Sequence, residues 1–140
     1  MTLLDTDHIS VLTDDRHRSQ SVLIQRLKEH QDRIALPLVA LEEHLRGLLG
    51  LIHRYTEIDR QLWGYHRLFQ SLLRIREADI IPFTALEADY FKSLQKQRIK
   101  IGTQDLKIAA IALTHDALLV SNNLKDFKRI PGLKVESWIE

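Results

Sequence analysis

The chain has 140 residues, 44% of them hydrophobic, which suffices for one core, and a formal net charge of only +1, which excludes a polycation that coats nucleic acid by charge alone. It contains no cysteine, so disulfides, thiolate metal sites and cysteine nucleophiles are excluded together. No run of about 18 apolar residues occurs and Met1 to Asp5 carry no basic leader, so a soluble, cytoplasmic, single domain over residues 1–140 is expected, with no membrane partner.

Thr2 to Leu4 reads as a short buried strand, and Asp7 to Leu12 opens a helix with Asp5 or Thr6 near its cap. A polar loop, Thr13 to Ser19, leads to a helix over Ser19 to His30 with Val22, Leu23 and Leu27 at helical spacing. Arg33 to Leu36 is a second strand, broken at Pro37. Leu38 to Arg76 reads as two helices, with Gly47 and Gly50 near their junction. The first carries Leu41, Leu45, Leu48 and Leu49; the second carries Tyr55, Ile58, Leu62, Tyr65, Phe69, Leu72 and Leu73. This second stripe steps by three and four residues, so it buries one face, against this domain or against another subunit.

Asp79 to Phe83 is a third strand, and Thr84 with Glu87 forms a capping box for the next helix, which ends in the basic run Lys96, Arg98, Lys100. Gly102-Thr103-Gln104-Asp105 starts a buried helix over Leu106 to Leu113, whose Ala109, Ala110 and Ala112 permit close approach to a sheet. Leu118 to Ser121 is a fourth strand, Leu124 to Lys128 a helical turn, and Val135 to Trp138 a last strand. Strands alternating with helices predict an α/β fold with a parallel sheet of four to five strands, flanked by helices, from which the helix pair protrudes.

Acidic residues stand where these elements begin or end: Asp5, Glu43, Asp105 and Asp126. Each alone has a structural use, as a helix cap or a solvated charge. Together they form the kind of oxygen donor set that holds magnesium while leaving positions for water and substrate phosphate. Setting the four aside leaves a mildly basic remainder, so a negative pocket in a basic body is expected to hold a cation inside and a polyanion at its rim. A cation so held activates water for phosphodiester hydrolysis.

Four segments carry a resemblance: Leu4-Asp5-Thr6-Asp7, Glu43-His44-Leu45-Arg46-Gly47, Gly102-Thr103-Gln104-Asp105 followed by Ile108 to Ala110, and Ser121-Asn122-Asn123-Leu124-Lys125-Asp126-Phe127. In this order across nearly the whole chain they resemble the PIN-domain ribonucleases, in particular the VapC toxins of toxin–antitoxin pairs. The resemblance implies a PIN fold and a metal-dependent endoribonuclease whose Mg²⁺ or Mn²⁺ is held by Asp5, Glu43, Asp105 and Asp126. It implies that Ser121 and Asn123 orient these acids and the phosphate, and that Thr6 helps to place Asp5 or a metal-bound water. Glu42, one residue out of register, ranks behind Glu43. Asp7 departs from the family, where Asn is frequent, and its role stays open between ligand and helix cap.

The resemblance further implies a protein antitoxin that presents a basic side chain to the acidic groove, a homodimer, and an RNA substrate, with transfer RNA as a target. The helix pair spanning Leu41 to Leu73 is the candidate surface for both protein contacts. Arg46, Arg54, Lys96, Arg98 and Lys100 are candidates to contact RNA phosphates, and Trp63 or Tyr65 to stack on a base, although each also reads as an ordinary surface or packing residue. No histidine pair stands at metal-binding helical spacing, and His44 is read as structural or facing substrate. Two alternatives differ in chemistry. A haloacid-dehalogenase-type phosphotransferase would use Asp5 as nucleophile and Asp7 as acid, and a PIN module that has lost catalysis would bind RNA without cutting it.

Overall fold

The computed structural model describes residues 1–139. Five strands alternate with seven helices: β1 (Thr2–Leu4), α1 (Thr6–Leu12), α2 (Gln20–Glu29), β2 (Ile34–Pro37), α3 (Leu38–His53), α4 (Ile58–Ile75), β3 (Ile80–Ile81), α5 (Ala85–Lys96), α6 (Thr103–Thr114), β4 (Leu118–Val120), α7 (Leu124–Phe127) and β5 (Lys134–Glu136). The strands form one sheet in the order β3-β2-β1-β4-β5, and every neighbouring pair is parallel. The expected α/β architecture is therefore the one observed.

Central position explains the composition of β1. Leu3 and Leu4 are fully buried, as consecutive residues of a strand covered on both faces must be. Edge strand β5 instead leaves Lys134 and Glu136 exposed, with Val135 half-buried between them. The order also creates a reversal. From β1 the chain crosses to β2 on one side, whereas β4 pairs on the other side of β1, with Leu4 opposite Val120. Connections leaving the carboxyl ends of β1 and β4 therefore diverge, and a crevice opens there, the usual binding place of an open parallel sheet.

Helix α6 is buried along its middle. Ile108, Ala109, Ala110, Ile111 and Ala112 have no exposed surface, so the small and branched side chains of this stretch pack on every side, while Thr103, Gln104 and Lys107 keep some exposure. It packs against α5 and α3. Helix α5 begins with the expected capping box: the Thr84 N–H donates to the Glu87 carboxylate at 2.9 Å. Burial works against ionisation of Glu87, but hydrogen bonds from the Thr84 hydroxyl and N–H and from His115 outweigh it and hold the carboxyl down at about 2.

Four expectations change. Gly47 and Gly50 do not lie at a helix junction; both are inside α3, and the turn falls at residues 54–57. A glycine contributes to the helix pair at a different position. A β-carbon on Gly64 would lie 2.6 Å from Ile52 Cγ1 and 3.2 Å from the Ile52 backbone, so α3 and α4 approach through a contact only hydrogen can fill. The third strand contracts to Ile80–Ile81 and the last to Lys134–Glu136, leaving Trp138 buried beyond its end. Val22, grouped with the inward face of α2, is exposed, while Leu23 is fully buried.

The apolar stripe of α4 is not core. Ile58 is 64% exposed, Leu62 57% and Phe69 63%, with Tyr65, Leu72 and Leu73 also exposed. Helix α4 meets α3 through Gly64 and Ser71, both buried. A six-residue apolar face at helical spacing left to solvent is the signature of a protein contact surface.

Candidate metal centre

Asp5 is the first residue after β1 and the N-cap of α1. The end of a central strand places it in the crevice, and its extended backbone turns the chain into the helix. It is 4% exposed. Oδ1 accepts from the Thr6 N–H at 2.7 Å, and Oδ2 accepts from the Ser121 hydroxyl at 2.6 Å. Ser121 follows β4, so the two strands flanking the reversal contribute one partner each.

Glu43 arrives from the second turn of α3, and its Oε2 accepts the Thr6 hydroxyl hydrogen at 2.6 Å. Thr6 thus serves two acids, Asp5 through its backbone and Glu43 through its side chain. Asp105 stands in the first turn of α6 after the N-cap Gly102. One carboxylate oxygen each of Asp5, Glu43 and Asp105 lies within 4.8 Å of the others. The helix start also places the positive end of the α6 dipole beside these negative groups.

Asp126 belongs to the same neighbourhood but not to this triangle. Asn123 Nδ2 donates to Asp105 Oδ2 at 3.1 Å and to Asp126 Oδ2 at 3.2 Å, joining the fourth acid to the third. The Asn123 backbone N–H donates to Ser121 Oγ at 3.0 Å, which leaves the Ser121 hydrogen free for Asp5. Ser121 and Asn123 therefore form a short chain of hydrogen bonds running from Asp5 to Asp126.

Asp7 is neither in the three-carboxylate group nor the cap of α1. Its Oδ2 accepts from the Asn122 backbone N–H at 2.9 Å, and its Oδ1 is paired with His8 Nδ1 at 2.6 Å. His8 has no exposed surface, and its Nε2 accepts the Trp138 backbone N–H. With Nε2 an acceptor, Nδ1 carries the hydrogen that His8 donates to Asp7. Glu42 faces away, bonded to Arg46 at 2.8 Å and Gln104 at 2.9 Å. Sequence reasoning did not single out His8, nor Arg67, which reaches the site from α4. No local pattern marks either, because each acquires its partners from distant elements.

His44 is buried and bridges helices behind Glu43. Nε2 lies 2.9 Å from Ser71 Oγ and 3.3 Å from Thr13 Oγ1, and Nδ1 lies 3.3 Å from Ser10 Oγ. Burial, with the Arg67 charge adding to it, pushes its pKa down to about 4, so it is neutral at pH 7. This neutral ring ties α1, α3 and α4 together behind Glu43.

The acids are electrostatically uncomfortable without a counter-charge. Burial and then the Asp7 charge push Asp5 up to about 7, against the lowering effect of the Ser121 and Thr6 hydrogen bonds. Asp105 is also raised, by burial first and then by Glu43 and Asp126, with Asn123 opposing. Asp5 and Asp105, driven above their ordinary range by burial first and by neighbouring carboxylates second, belong to a donor set that a divalent cation relieves. All-oxygen donors suit a hard ion such as Mg²⁺ or Mn²⁺.

A five-stranded parallel sheet, a crevice at its reversal and acids converging from β1, α3 and α6 place the chain in a fold class that comparison identifies. The PIN domain family matches residues 2–133, and the chain belongs to that family. The haloacid-dehalogenase alternative is thereby replaced. Among relatives, Ribonuclease VapC1 of Rickettsia felis is 52% identical over 60 residues, covering 40% of this chain and 45% of the relative, so this alignment spans less than half of that protein. Ribonuclease VapC1 of Haemophilus influenzae is 29% identical over 139 residues, covering 97% and 96%. Among solved structures, VapBC2 from Rickettsia felis bound to a promoter DNA fragment superposes with a TM-score of 0.72 at 26% identity, covering 98% of each chain. VapBC-1 from nontypeable Haemophilus influenzae has the same fold, with a TM-score of 0.73 at 23% identity over 99% of this chain and 98% of that one.

Proposed function

We propose that this chain is a divalent-metal-dependent endoribonuclease of the VapC type, the toxin of a toxin–antitoxin pair. The observation that carries the reading is the approach of Asp5, Glu43 and Asp105 to within 4.8 Å at the reversal of the sheet. Family membership and the ribonuclease relatives support the reaction class.

In this reading Asp5, Glu43 and Asp105 hold the ion, and Asp126 completes the acidic ring through Asn123. Bound there, a divalent cation such as Mg²⁺ or Mn²⁺ supplies Lewis acidity toward a phosphate oxygen and lowers the pKa of water. The chain's own contribution is orientation. Thr6 holds Glu43, Ser121 holds Asp5, and Asn123 holds Asp105 and Asp126, each by a donated hydrogen bond. Such outer contacts keep ligand oxygens pointed inward when the apo site would otherwise splay under repulsion. His8 and Asp7 brace the loop after β4 by gripping the Asn122 N–H.

Solved neighbours include a toxin–antitoxin complex from Klebsiella pneumoniae, and an antitoxin is the proposed partner here. The exposed α4 stripe supplies apolar surface for that protein or for a second copy. Among the described residues no helix is long and apolar enough to cross a membrane, and a cytoplasmic location is part of the proposal. Structured RNA, with transfer RNA as one target, is the proposed substrate.

The decisive experiment incubates the purified protein with total bacterial RNA and manganese and maps the new RNA ends, with Asp105→Asn and a chelator in parallel. Discrete cuts are expected, lost with the chelator and reduced more than about a hundredfold by Asp105→Asn. Cuts that survive in Asp105→Asn would remove the metal centre from the reaction. RNA binding with no cuts under any metal would favour the binding-only module.

A further inference from the structure

A cavity of about 370 Å³ adjoins the carboxylate cluster and shares Thr6 and Glu43 with it, but its charge is different: Arg54 and Arg67 line it as well. The lining itself carries two guanidiniums and one carboxylate, Glu43, with His44 neutral, while Asp14, which pairs with Arg67, stands outside it, so cationic donors face the cavity beside a negative centre. An RNA strand lying across Asp5 and Asp105 is repelled there except at the ion, so a cation next to the centre is needed to hold the adjoining phosphate.

Arg67 is shaped for that task. Its side chain is only 13% exposed, and its nearest carboxylate, Asp14 Oδ2, lies 3.4 Å from Nη1. Its Nε–H is buried and has no acceptor among the described residues. A guanidinium carries five donors in a fixed fork, and Asp14 is the one carboxylate within 4 Å of this one among the described residues, so Nη–H donors remain for an oxyanion seated in the cavity. Arg54, at the C-cap of α3, is exposed and supplies a second charge at the mouth. Gly47 keeps the wall between them open: a β-carbon built there meets nothing within 4 Å.

We propose that the cavity lined by Arg54, Arg67 and Gly47 is a phosphate subsite, which seats the RNA backbone phosphate next to the one at the Asp5–Glu43–Asp105 cluster. It rests on the nuclease reading above and adds the residues that fix where the strand lies. Glycine at position 47 is then a requirement of substrate space rather than of backbone conformation.

The test measures fluorescence anisotropy of a labelled single-stranded RNA oligonucleotide across a salt series, in an Asp105→Asn background that does not cut it. Arg54→Ala removes a charge, and Gly47→Leu puts a good helix former where a β-carbon meets nothing within 4 Å, so that its side chain fills the space. These two carry the test, since Arg67→Gln also leaves Asp14 without its partner. Each is expected to weaken binding about tenfold, and Arg54→Ala to lower the slope of log affinity against log salt by about 0.7, with circular dichroism unchanged. If both bind RNA as the Asp105→Asn background does while the unmutated protein still cuts RNA, the subsite is refuted and the nuclease stands. If the unmutated protein neither binds nor cuts RNA, both readings fall. If Arg54→Ala loosens only a protein partner and leaves RNA binding intact, the cavity is a protein contact and the proposal is refuted.

Discussion

Ser121 and Asp5 are 116 residues apart in the chain, yet the Ser121 hydroxyl donates to Asp5 Oδ2 at 2.6 Å. The contact exists because β1 and β4 pair in register, Leu4 opposite Val120, so the residues that follow both strands emerge side by side. It is also one of the two contacts that lower the Asp5 pKa against burial. Ser121→Ala is therefore expected to weaken Mn²⁺ binding about tenfold and to destabilise the fold by about 1–3 kcal/mol through the lost hydrogen bond. Calorimetric titration with Mn²⁺ checks the first, and parental affinity in the variant would detach Ser121 from the site.

Asp5 gives the protein a pH dependence of defined sign. Its pKa is about 7 in the folded chain and near its ordinary 3.8 when unfolded, so between these values the folded state holds a proton that the unfolded state has lost. Metal-free stability contributed by this group is thus fully present below about pH 4, falls as pH rises toward 7, and is flat above. Asp105, raised in the same direction, adds to the trend. Divalent metal reverses it, because the ion competes with the proton and binds more tightly as pH rises to about 7. Urea midpoints at about pH 5 and pH 8, with chelator and with Mn²⁺, are expected to move in opposite directions. Asp5→Asn should flatten the chelator curve; an unchanged curve would mean that Asp5 does not carry the proton.

Gly64 is the tightest point between α3 and α4. Gly64→Ala gains helix propensity of about 1 kcal/mol but forces a methyl against Ile52, and overpacking of this kind costs about 1–3 kcal/mol. Net destabilisation is expected in thermal unfolding. The double variant with Ile52→Ala should show a favourable coupling, since the smaller side chain makes room for the methyl. Additive effects would place the strain elsewhere.

The α4 stripe makes a prediction of the opposite kind. Leu62 and Phe69 are more than half exposed, so Leu62→Ser with Phe69→Ser should change monomer stability by no more than about 0.5 kcal/mol per site. Association should change strongly. Sedimentation is expected to show the parent as a dimer and the double variant as a monomer, and a parent that remains monomeric at all concentrations would leave the stripe to the proposed antitoxin alone.

Much of this was legible in the chain itself. Apolar runs separated by helical periodicity announce the parallel α/β order, Thr84 and Glu87 announce a capping box, and Asp5 and Asp105 stand at a strand end and a helix start while Glu43 lies in the second turn of α3, positions from which the fold brings the three acids together. These signals are local: a cap, a strand end and a glycine-led helix start act over a few residues and can be read without knowing what lies opposite. Helix periodicity is local too, and it correctly marks the face of α4 that is apolar.

What covers such a face is not local. The stripe from Ile58 to Leu73 has the pattern of a core helix, and only the packing of Gly64 and Ser71 onto α3 shows that it turns the stripe outward. The same limit separates the acids. Nothing in the spacing distinguishes Asp126 from Asp105, yet the fold groups Asp105 with Asp5 and Glu43 and holds Asp126 through Asn123. Asp7 stayed open between ligand and cap because its partners, the buried His8 beside it and the Asn122 N–H, depend on a strand pairing 115 residues away. Residue types and their periodicity determined which groups exist and which elements carry them; the register of β1 against β4 and the close approach of α3 and α4 decided which of them meet, because contacts between distant elements are set by packing and not by any short stretch of chain.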